Sequence, residues 1–457
     1  MPTSPGLLTD RYELTMLTSF VTDGSAAHPA VFEAFARRLP DGRRYGVVAG
    51  LGRLLPLIAD FGFDADEVAW LLAEGVINEV TADYLRDFRF RGDIDAYPEG
   101  DLYFPGSPIL TVRGTLGECV LLETLVLSVL NHDSAIASAA ARMVLAAGGP
   151  VEQGGRPLVE MGSRRTHEQA AIAVARAAYV AGFATTSNLA AGIEHGVPTV
   201  GTAAHAFTLA YATEAEAFAA QVAAQGVGTT LLVDTYDTPA GIRTAVEVAG
   251  SGLGAIRIDS GDLAEESGKA RALLDELGAT ETRIIVTSDL DEFVLTALGD
   301  APIDGYGVGT RVATGSGHPT ASMVYKLVAV GDAAGSDLRP VAKKSHDKAS
   351  VGGRKHAWRR HEAGTLIDEW YDVDSGPQPP VGPRSSGASG EPGEPGVSEP
   401  QVPVVRGGAL VHSPGLDEVR AHCAAALATL PTHARSVAAG TPYLTVTDRP
   451  TTPGGAR

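Results

Sequence analysis

Cysteine is nearly absent from this chain. Its 457 residues include only two cysteines, Cys119 and Cys423, which lie far apart and show no metal-binding spacing. We therefore expect neither a disulfide framework nor a zinc site, and the composition fits a reducing cytoplasm. The sequence also lacks a run of about 18 apolar residues and a basic amino terminus followed by an apolar stretch. Neither a membrane span nor a secretory signal is expected.

Positive charge is also scarce. The chain carries 36 Lys and Arg residues against 55 Asp and Glu residues, a formal net charge of −19. Broad affinity for nucleic acids or anionic membranes needs basic surface, so this balance argues against both kinds of partner. A small phosphorylated metabolite is not excluded, because a few arginines and backbone N–H groups can bind it locally.

The pattern of apolar residues changes along the chain. The stretch "DLYFPGSPILTVRG" near the amino terminus alternates as antiparallel strands do. From 157 to about 330, apolar strands alternate with amphipathic helices, which predicts an α/β fold with a parallel sheet covered by helices. Six or more such units favour a (β/α) barrel, complete or incomplete, over two Rossmann halves. No Gly-x-Gly-x-x-Gly turn follows an early strand, which further weakens the Rossmann alternative.

We predict five segments from these changes. They are an N-terminal α+β domain over 1–117, a (β/α) barrel over 118–330, a basic segment over 331–373 that packs on the first domain or on the site, a flexible Pro/Gly/Ser-rich insert over 374–403, and a C-terminal helix and strand over 404–457. The insert is predicted to be flexible because its composition cannot bury a core.

Polar residues follow every predicted strand of the barrel, where the active site of this architecture lies. They are Gly162 to Arg165, then Gly201, Thr202 and His205, then Asp234 to Asp237, Asp259 to Asp262, Ser288, Asp289 and Asp291, and finally Gly309 to Arg311. Helix capping explains one polar strand end, but six in succession predict a common site. An isolated histidine among alanines is more often packed in a core, yet this position predicts that His205 reacts.

The residue types point to phosphate binding and an activated histidine. Arg164, Arg165 and Arg257 suit a carboxylate or phosphate, although Arg165 and Arg257 could instead form surface ion pairs. The glycine-rich loop 305–317 could bind a phosphate or be only a tight turn. Asp234 could hold one imidazole nitrogen of His205 and leave the other nucleophilic, or could only cap a helix.

The sequence also allows two roles for Asp259 and for Asp262. They could stabilise developing positive charge or hold Mg²⁺ through water, or each could only cap the following helix. Together, the phosphate sites, the carboxylates and the histidine predict transfer chemistry on a phosphorylated metabolite.

The chain resembles the nicotinate phosphoribosyltransferases, which are type II phosphoribosyltransferases. The motifs that carry the resemblance are "LLTDRYELTM", "LVEMGSRRTHEQAA", "GVPTVGTAAHAF", "LLVDTYDT", "RIDSGDL", "TSDLDEF", "GYGVGTRVATG" and "MVYKLVAV". The resemblance implies a cytoplasmic homodimer with a shared active site. Each chain would have an N-terminal open-faced α+β sandwich domain, an incomplete (β/α) barrel and a C-terminal extension.

The resemblance also implies the reaction. Nicotinate and phosphoribosyl pyrophosphate would give nicotinate mononucleotide and pyrophosphate, with Mg²⁺ present and with ATP as a co-substrate. ATP hydrolysis would be coupled through a phosphohistidine at His205, which Asp234 would orient, while Asp259 would face the ribose. The metal ligands are not identified.

Binding residues are implied by the same motifs. For nicotinate they are Tyr12, which follows Asp10 and would stack on the ring from the neighbouring subunit, and Arg164, Ser187, Thr202 and Arg257. For the phosphoribosyl group and its phosphates they are Ser260, Gly261, Ser288, Asp289, Gly307, Gly309 and Thr310.

Departures from related enzymes bear on the choice of pyridine. Nicotinamide enzymes carry Asp at the position of Ser187, where an anion would repel nicotinate, so Ser187 favours the acid. They carry an aromatic residue at the position of Met161, whose thioether can still contact a ring. Lys343, Lys344 and Lys348 could reach ATP or pyrophosphate, or form only a solvated basic loop.

Three other functions remain open from the sequence. The runner-up is a nicotinamide phosphoribosyltransferase, and a quinolinate phosphoribosyltransferase is a weaker alternative. Outside the enzyme class, the chain could be a catalytically inactive barrel that senses a nucleotide.

Overall fold

The computed structural model of the protein describes residues 4–343, 350–373 and 396–449. Its helices are α1 Arg11–Asp23, α2 Leu51–Ala59, α3 Ala65–Ala73, α4 Glu79–Arg86, α5 Leu116–Val120, α6 Glu123–Ala146, α7 Glu168–Val180, α8 Leu189–His195, α9 His205–Leu209, α10 Glu214–Gln225, α11 Thr238–Ala249, α12 Leu263–Glu276, α13 Glu292–Ala297, α14 Thr310–Ala313, α15 Leu416–Ala428 and α16 Thr432–Arg435. Its strands are β1 Pro29–Ala36, β2 Gly46–Val47, β3 Asp93–Ala96, β4 Leu102–Tyr103, β5 Leu110–Thr115, β6 Leu158–Glu160, β7 Thr185–Thr186, β8 Thr230–Leu232, β9 Ala255–Ile258, β10 Arg283–Ser288, β11 Gly305–Val308, β12 Met323–Val330, β13 Arg339–Pro340, β14 Lys355–Glu362, β15 Thr365–Val373, β16 Gly396–Ser398, β17 Val402–Arg406, β18 Ala409–Leu410 and β19 Thr447–Asp448. The chain forms two compact units, one of Met1–Ala135 with Thr320–Arg457 and one of Ile136–Pro319.

The first unit contains an antiparallel sheet with the strand order β13-β12-β1-β5-β3-β17-β18. Its interior strand β1 pairs with β5 and with β12, so that Ala30 lies opposite Val330. Strands from both ends of the chain therefore complete one sheet. In its core, the Phe32 and Tyr325 rings stack with centroids 4.9 Å apart.

A second sheet of this unit has the order β16-β14-β15-β19. The segment predicted to be a basic stretch over 331–373 thus contains the paired strands β14 and β15. Strand structure resumes at Gly396, inside the insert predicted over 374–403, whereas residues 374–395 of that insert lie outside the described residues. The predicted C-terminal helix corresponds to α15, where the Glu418 carboxylate accepts from the Gly415 N–H at 3.0 Å.

The second unit contains a parallel sheet with the order β7-β6-β11-β10-β9-β8. Short strands rich in Val, Ile and Leu, such as β9 with every residue buried, alternate with helices, as expected for a sheet covered on both faces. Strand β8 forms one edge of this sheet, and at the other end β7 is joined to the following segment only by an isolated parallel bridge between Thr186 and Thr199. The barrel is therefore incomplete, and the predicted α/β fold class is confirmed.

Among the described residues, one stretch, Leu116–Gln153, is long and apolar enough to cross a membrane, and an 18-residue window within it has a mean hydropathy of 1.4. Of its most apolar window, 67% is buried inside the protein. A core helix meets the same criteria of length and composition.

Candidate active site

The parallel strands of the second unit end at one edge of their sheet, and two pockets lie there. Both are lined by Met161, Arg164, Arg257 and Asp259. The larger, of about 710 Å³, is also lined by Ser163, Ser187, Gly201, Thr202 and His205 among others. The smaller, of about 190 Å³, is also lined by Arg165, Thr287, Ser288, Asp289, Gly307, Gly309 and Thr310. Most residues predicted for the site therefore share one region.

His205 begins α9, and its side chain is 41% exposed. Its Nδ1 lies 3.1 Å from Thr235 Oγ1. Its Nε2 lies 4.0 Å from Asp234 Oδ1 and 3.9 Å from Asp259 Oδ2. Both distances are too long for a hydrogen bond, but the negative charges of the two carboxylates favour a proton on Nε2, which leaves the lone pair on Nδ1.

Asp234 follows β8 and has a side chain that is only 1% exposed. Its Oδ2 accepts from the Asp259 N–H at 2.8 Å and from the Ser260 hydroxyl at 2.7 Å. Its Oδ1 is buried without a hydrogen-bond partner among the described residues. Such an oxygen is costly to leave unpaired, and here it faces the imidazole of His205. The helix cap is instead Asp237, whose carboxylate accepts from Ala240 N–H at 2.9 Å.

Arg257 lies on β9 and is buried. Its Nη1 donates to Thr202 Oγ1 at 2.9 Å and its Nε donates to Thr287 Oγ1 at 2.9 Å. Its Nη2 lies 3.5 Å from Asp259 Oδ2. A guanidinium held this way is not a surface ion pair. Arg165, by contrast, is exposed at the rim of the smaller pocket.

The remaining strand ends divide between the pockets and helix caps. Ser288 has φ 155°, a backbone conformation that non-glycine residues rarely adopt and that is found at functional sites. Asp262 accepts from the Ala264 and Glu265 N–H groups, and Asp291 from those of Phe293 and Val294, so both act as helix caps. Ser260 contacts Asp234, and neither Ser260 nor Gly261 is among the pocket-lining residues.

Sequence reasoning gave no role to three polar residues of this region, Thr235, Thr287 and Glu160. The Glu160 carboxylate, at the end of β6, accepts from Thr186 Oγ1 at 2.6 Å and from the Gly162 N–H. Burial raises the pKa of Glu160, and these two hydrogen bonds oppose the rise. For Glu160 and Thr287, the available signal was a polar residue near the carboxyl end of an apolar strand.

Tyr12 belongs to the first unit, on α1, and the residue is 45% exposed. Burial and the charges of Glu123 and Glu13 raise its pKa, so the phenol stays neutral. Lys343 is the last residue described before 350, and Lys344 and Lys348 lie outside the described residues.

Comparison with known proteins identifies the family. Residues 7–131 match the model of the nicotinate phosphoribosyltransferase (NAPRTase) N-terminal domain. The chain is 56% identical over 452 residues to nicotinate phosphoribosyltransferase pncB1 of Mycobacterium tuberculosis, a match that covers 96% of this chain and 94% of that protein. The chain belongs to the nicotinate phosphoribosyltransferase family.

More distant nicotinate phosphoribosyltransferases extend this match. The Bacillus subtilis enzyme is 38% identical over 366 residues, covering 78% of this chain and 73% of that protein. The crystal structure of human nicotinic acid phosphoribosyltransferase matches with a TM-score of 0.78 at 26% identity, covering 96% of this chain and 97% of that one.

Proposed function

We propose that the chain condenses nicotinate with phosphoribosyl pyrophosphate, giving nicotinate mononucleotide and pyrophosphate in the biosynthesis or salvage of NAD. The proposal is carried by the pocket that Arg257, Thr202, His205 and Asp259 share. Membership of the family, with 56% identity to the Mycobacterium tuberculosis enzyme over nearly the whole chain, supports it. In the reaction, the pyridine nitrogen bonds to C1 of the ribose as the bond from C1 to the pyrophosphate oxygen breaks.

Arg257 is proposed to bind the carboxylate of nicotinate. It is buried and already held by two hydroxyls, so little side-chain entropy would be lost on binding. Thr202 would add a hydroxyl at the same end of the ring, and Arg164 lines the same pocket. Ser187, half-buried at this pocket, is neutral and would not repel the acid.

The smaller pocket is proposed to hold the phosphoribosyl group. Ser288, Asp289, Gly307, Gly309 and Thr310 would surround the phosphates, and a late glycine-rich loop is a common phosphate site in such barrels. Ser260 and Gly261 would support this side from the loop after β9.

Asp259 is proposed to act on the reacting centre. Breaking the bond from ribose to pyrophosphate builds positive charge on the sugar, which its carboxylate, at the junction of the two pockets, would stabilise. Mg²⁺ is proposed to offset charge on the leaving pyrophosphate. No metal-binding group of three or more His, Cys, Asp or Glu side chains occurs in the described part of the chain. Mg²⁺ commonly keeps several waters and binds substrate phosphates with one or two carboxylates, a role that Asp289 at the smaller pocket would fit.

ATP is proposed to act through His205. The Nδ1 lone pair would attack the γ-phosphorus of ATP, the bond to the β–γ bridging oxygen would break, and ADP would leave with that electron pair. With the proton kept on Nε2, the phosphorylated ring carries a positive charge, and Asp234 and Asp259, 4.0 and 3.9 Å from Nε2, would offset it. Water would then hydrolyse the phosphoramidate and return the free imidazole.

The active site is further proposed to be shared in a homodimer, with Tyr12 stacking on the pyridine ring of the neighbouring chain. Tyr12→Ala and His205→Ala chains, each without ATP-stimulated activity alone, would then regain that activity when co-expressed. Random pairing would restore about a quarter of the native ATP-stimulated activity, because half of the dimers would carry one intact site of two. No recovery in co-purified mixed dimers would contradict sharing.

A competition assay tests the reaction itself. The protein receives phosphoribosyl pyrophosphate, Mg²⁺ and equal amounts of nicotinate, nicotinamide and quinolinate, with and without ATP, and mass spectrometry measures the products. We expect nicotinate mononucleotide, formed faster with ATP, and loss of both the ATP effect and the acid-labile phosphoryl label in His205→Ala. Nicotinamide mononucleotide as the main product would overturn the assignment of Ser187. No mononucleotide under either condition would favour the inactive sensor.

A further inference from the structure

Thr287 lies between two groups of the proposed site. It is 4% exposed, near the carboxyl end of β10. In the parallel register of β9 and β10, Ile258 pairs with Val286, so the next residues, Asp259 and Thr287, lie side by side. On the other side of β10, Thr287 pairs with Gly307 of β11.

The hydroxyl of Thr287 makes two hydrogen bonds whose directions are both determined. The Arg257 Nε–H can only donate, so the Thr287 oxygen accepts from it at 2.9 Å. An ionised carboxylate can only accept, so the same hydroxyl donates its proton to Asp259 Oδ1. One hydroxyl therefore links the guanidinium to the carboxylate, and burial leaves little water to compete for it.

The methyl group of Thr287 packs in the space that Gly307 leaves open. A Cβ on Gly307 would lie 2.5 Å from Thr287 Cγ2 and 2.7 Å from Met161 Sδ. Thr287 thus has a fixed rotamer, with its methyl group against β11 and its hydroxyl towards Arg257 and Asp259.

We infer that Thr287 is a positioning residue that sets the spacing between the pyridine-binding and ribose-binding halves of the site through its hydroxyl. The inference rests on the proposed function, in which Arg257 binds the carboxylate of nicotinate and Asp259 faces the ribose. Without this hydroxyl, Arg257 keeps its hydrogen bonds to Thr202 and to the Ala203 carbonyl oxygen, but no hydroxyl then fixes its distance from the Asp259 carboxylate, which Nη2 approaches at 3.5 Å.

Two substitutions separate the hydroxyl from the methyl group. Thr287→Val keeps the shape and removes the hydroxyl, whereas Thr287→Ser keeps the hydroxyl and removes the methyl group. We expect Thr287→Val to raise the KM for nicotinate, through Arg257, and to lower kcat, through Asp259. The fall in kcat/KM should be roughly 10- to 100-fold, as for a lost hydrogen bond to charged groups. Thr287→Ser should stay within a few-fold of the native protein.

Steady-state kinetics of the full chain, with thermal melting as a check on folding, tests this. Partial unfolding would lower the apparent kcat and leave the KM for nicotinate unchanged. A KM that is raised in Thr287→Val and near the native value in Thr287→Ser therefore supports the positioning role. Native constants for Thr287→Val, or equal losses in both variants, would overturn it.

Arg257→Ala distinguishes failure of the inference from failure of the site assignment. If Thr287 acts through Arg257, Thr287→Val raises the KM for nicotinate in the native background but no further in Arg257→Ala. If Arg257→Ala raises this KM and Thr287→Val does not, the positioning role fails and the site assignment stands. An unchanged KM in Arg257→Ala would overturn both.

Discussion

Asp234→Asn tests whether a buried carboxylate decides which nitrogen of His205 reacts. Asparagine has nearly the same shape, and its carbonyl oxygen must replace Oδ2, because the Asp259 N–H, 2.8 Å from that atom, can only donate. The amide NH₂ then replaces Oδ1, 4.0 Å from His205 Nε2. A donor at this place disfavours the proton on Nε2, so Asp259 alone, 3.9 Å away, then supports the tautomer whose Nδ1 lone pair is proposed to attack ATP.

The lost attraction follows from the distance. Unit charges 4.0 Å apart interact by about 1 kcal/mol in water and about 4 kcal/mol at an effective dielectric constant of 20. The side chain of His205 is 41% exposed and that of Asp234 is 1% exposed, so an intermediate value applies. About 2 kcal/mol corresponds to roughly 30-fold in rate. The unfavourable tautomer adds to this, so phosphohistidine formation should fall at least about 30-fold.

Transfer of the labelled γ-phosphoryl group of ATP to the protein measures this effect, with product formation followed with and without ATP. We expect the ATP-stimulated rate to fall while any ATP-independent turnover persists. Asp237→Asn is the matched control, because Asp237 only caps α11 and asparagine caps as well as aspartate. Native labelling in Asp234→Asn, or an equal loss in both variants, would refute the tautomer argument.

Three further predictions concern packing and buried charge. Gly307→Ala should lower kcat/KM about tenfold without unfolding the protein, because its Cβ would lie 2.5 Å from the Thr287 methyl carbon; kinetics and circular dichroism check this. Glu13→Gln should change how stability depends on pH. Burial raises the pKa of Glu13 from 4.5 to about 7, so the contribution of its protonated form is complete below about pH 4.5 and is lost as pH rises through about 7. In urea titrations, the free energy of unfolding of the native protein should fall by about 3 kcal/mol across this pH window. Glu13→Gln should not show this fall. Arg359→Ala should cost about 3–5 kcal/mol of unfolding free energy, since it leaves buried carboxylates unpaired, whereas the exposed Arg360→Ala should cost less than about 0.5 kcal/mol in the same urea titration.

Many of the residues that line the two pockets could be located from local pattern. Apolar strands of the second unit end at polar residues, and parallel strands bring these ends to one edge. The pocket-lining positions of His205, Arg257 and Thr310 could therefore be predicted without coordinates. The sequence also predicted Asp234 beside His205, because the strand that ends at Asp234 is the next one along the chain; the two side chains are 4.0 Å apart.

The linking residues of the site could not be predicted in this way. Thr287 and Glu160 belong to buried strands. From the sequence alone, a threonine or glutamate near a strand end is equally consistent with a helix cap, a surface residue or a residue of the site. Their roles depend on cross-strand register: Thr287 reaches Arg257 and Asp259 only because β9 and β10 pair as they do.

The sequence by itself determined where most strands and helices of the barrel begin and which chemical groups follow them, because periodicity and capping are local properties. Only the tertiary structure decided which strands pair when they lie far apart in the sequence. Strand β1 is completed by β12 from the far end of the chain, and Arg359, in the segment predicted to be basic and to pack on the first domain or on the site, is buried between Asp101 and Glu369. Local patterns describe one element at a time, whereas pairing and burial depend on residues that approach each other only after the chain has folded.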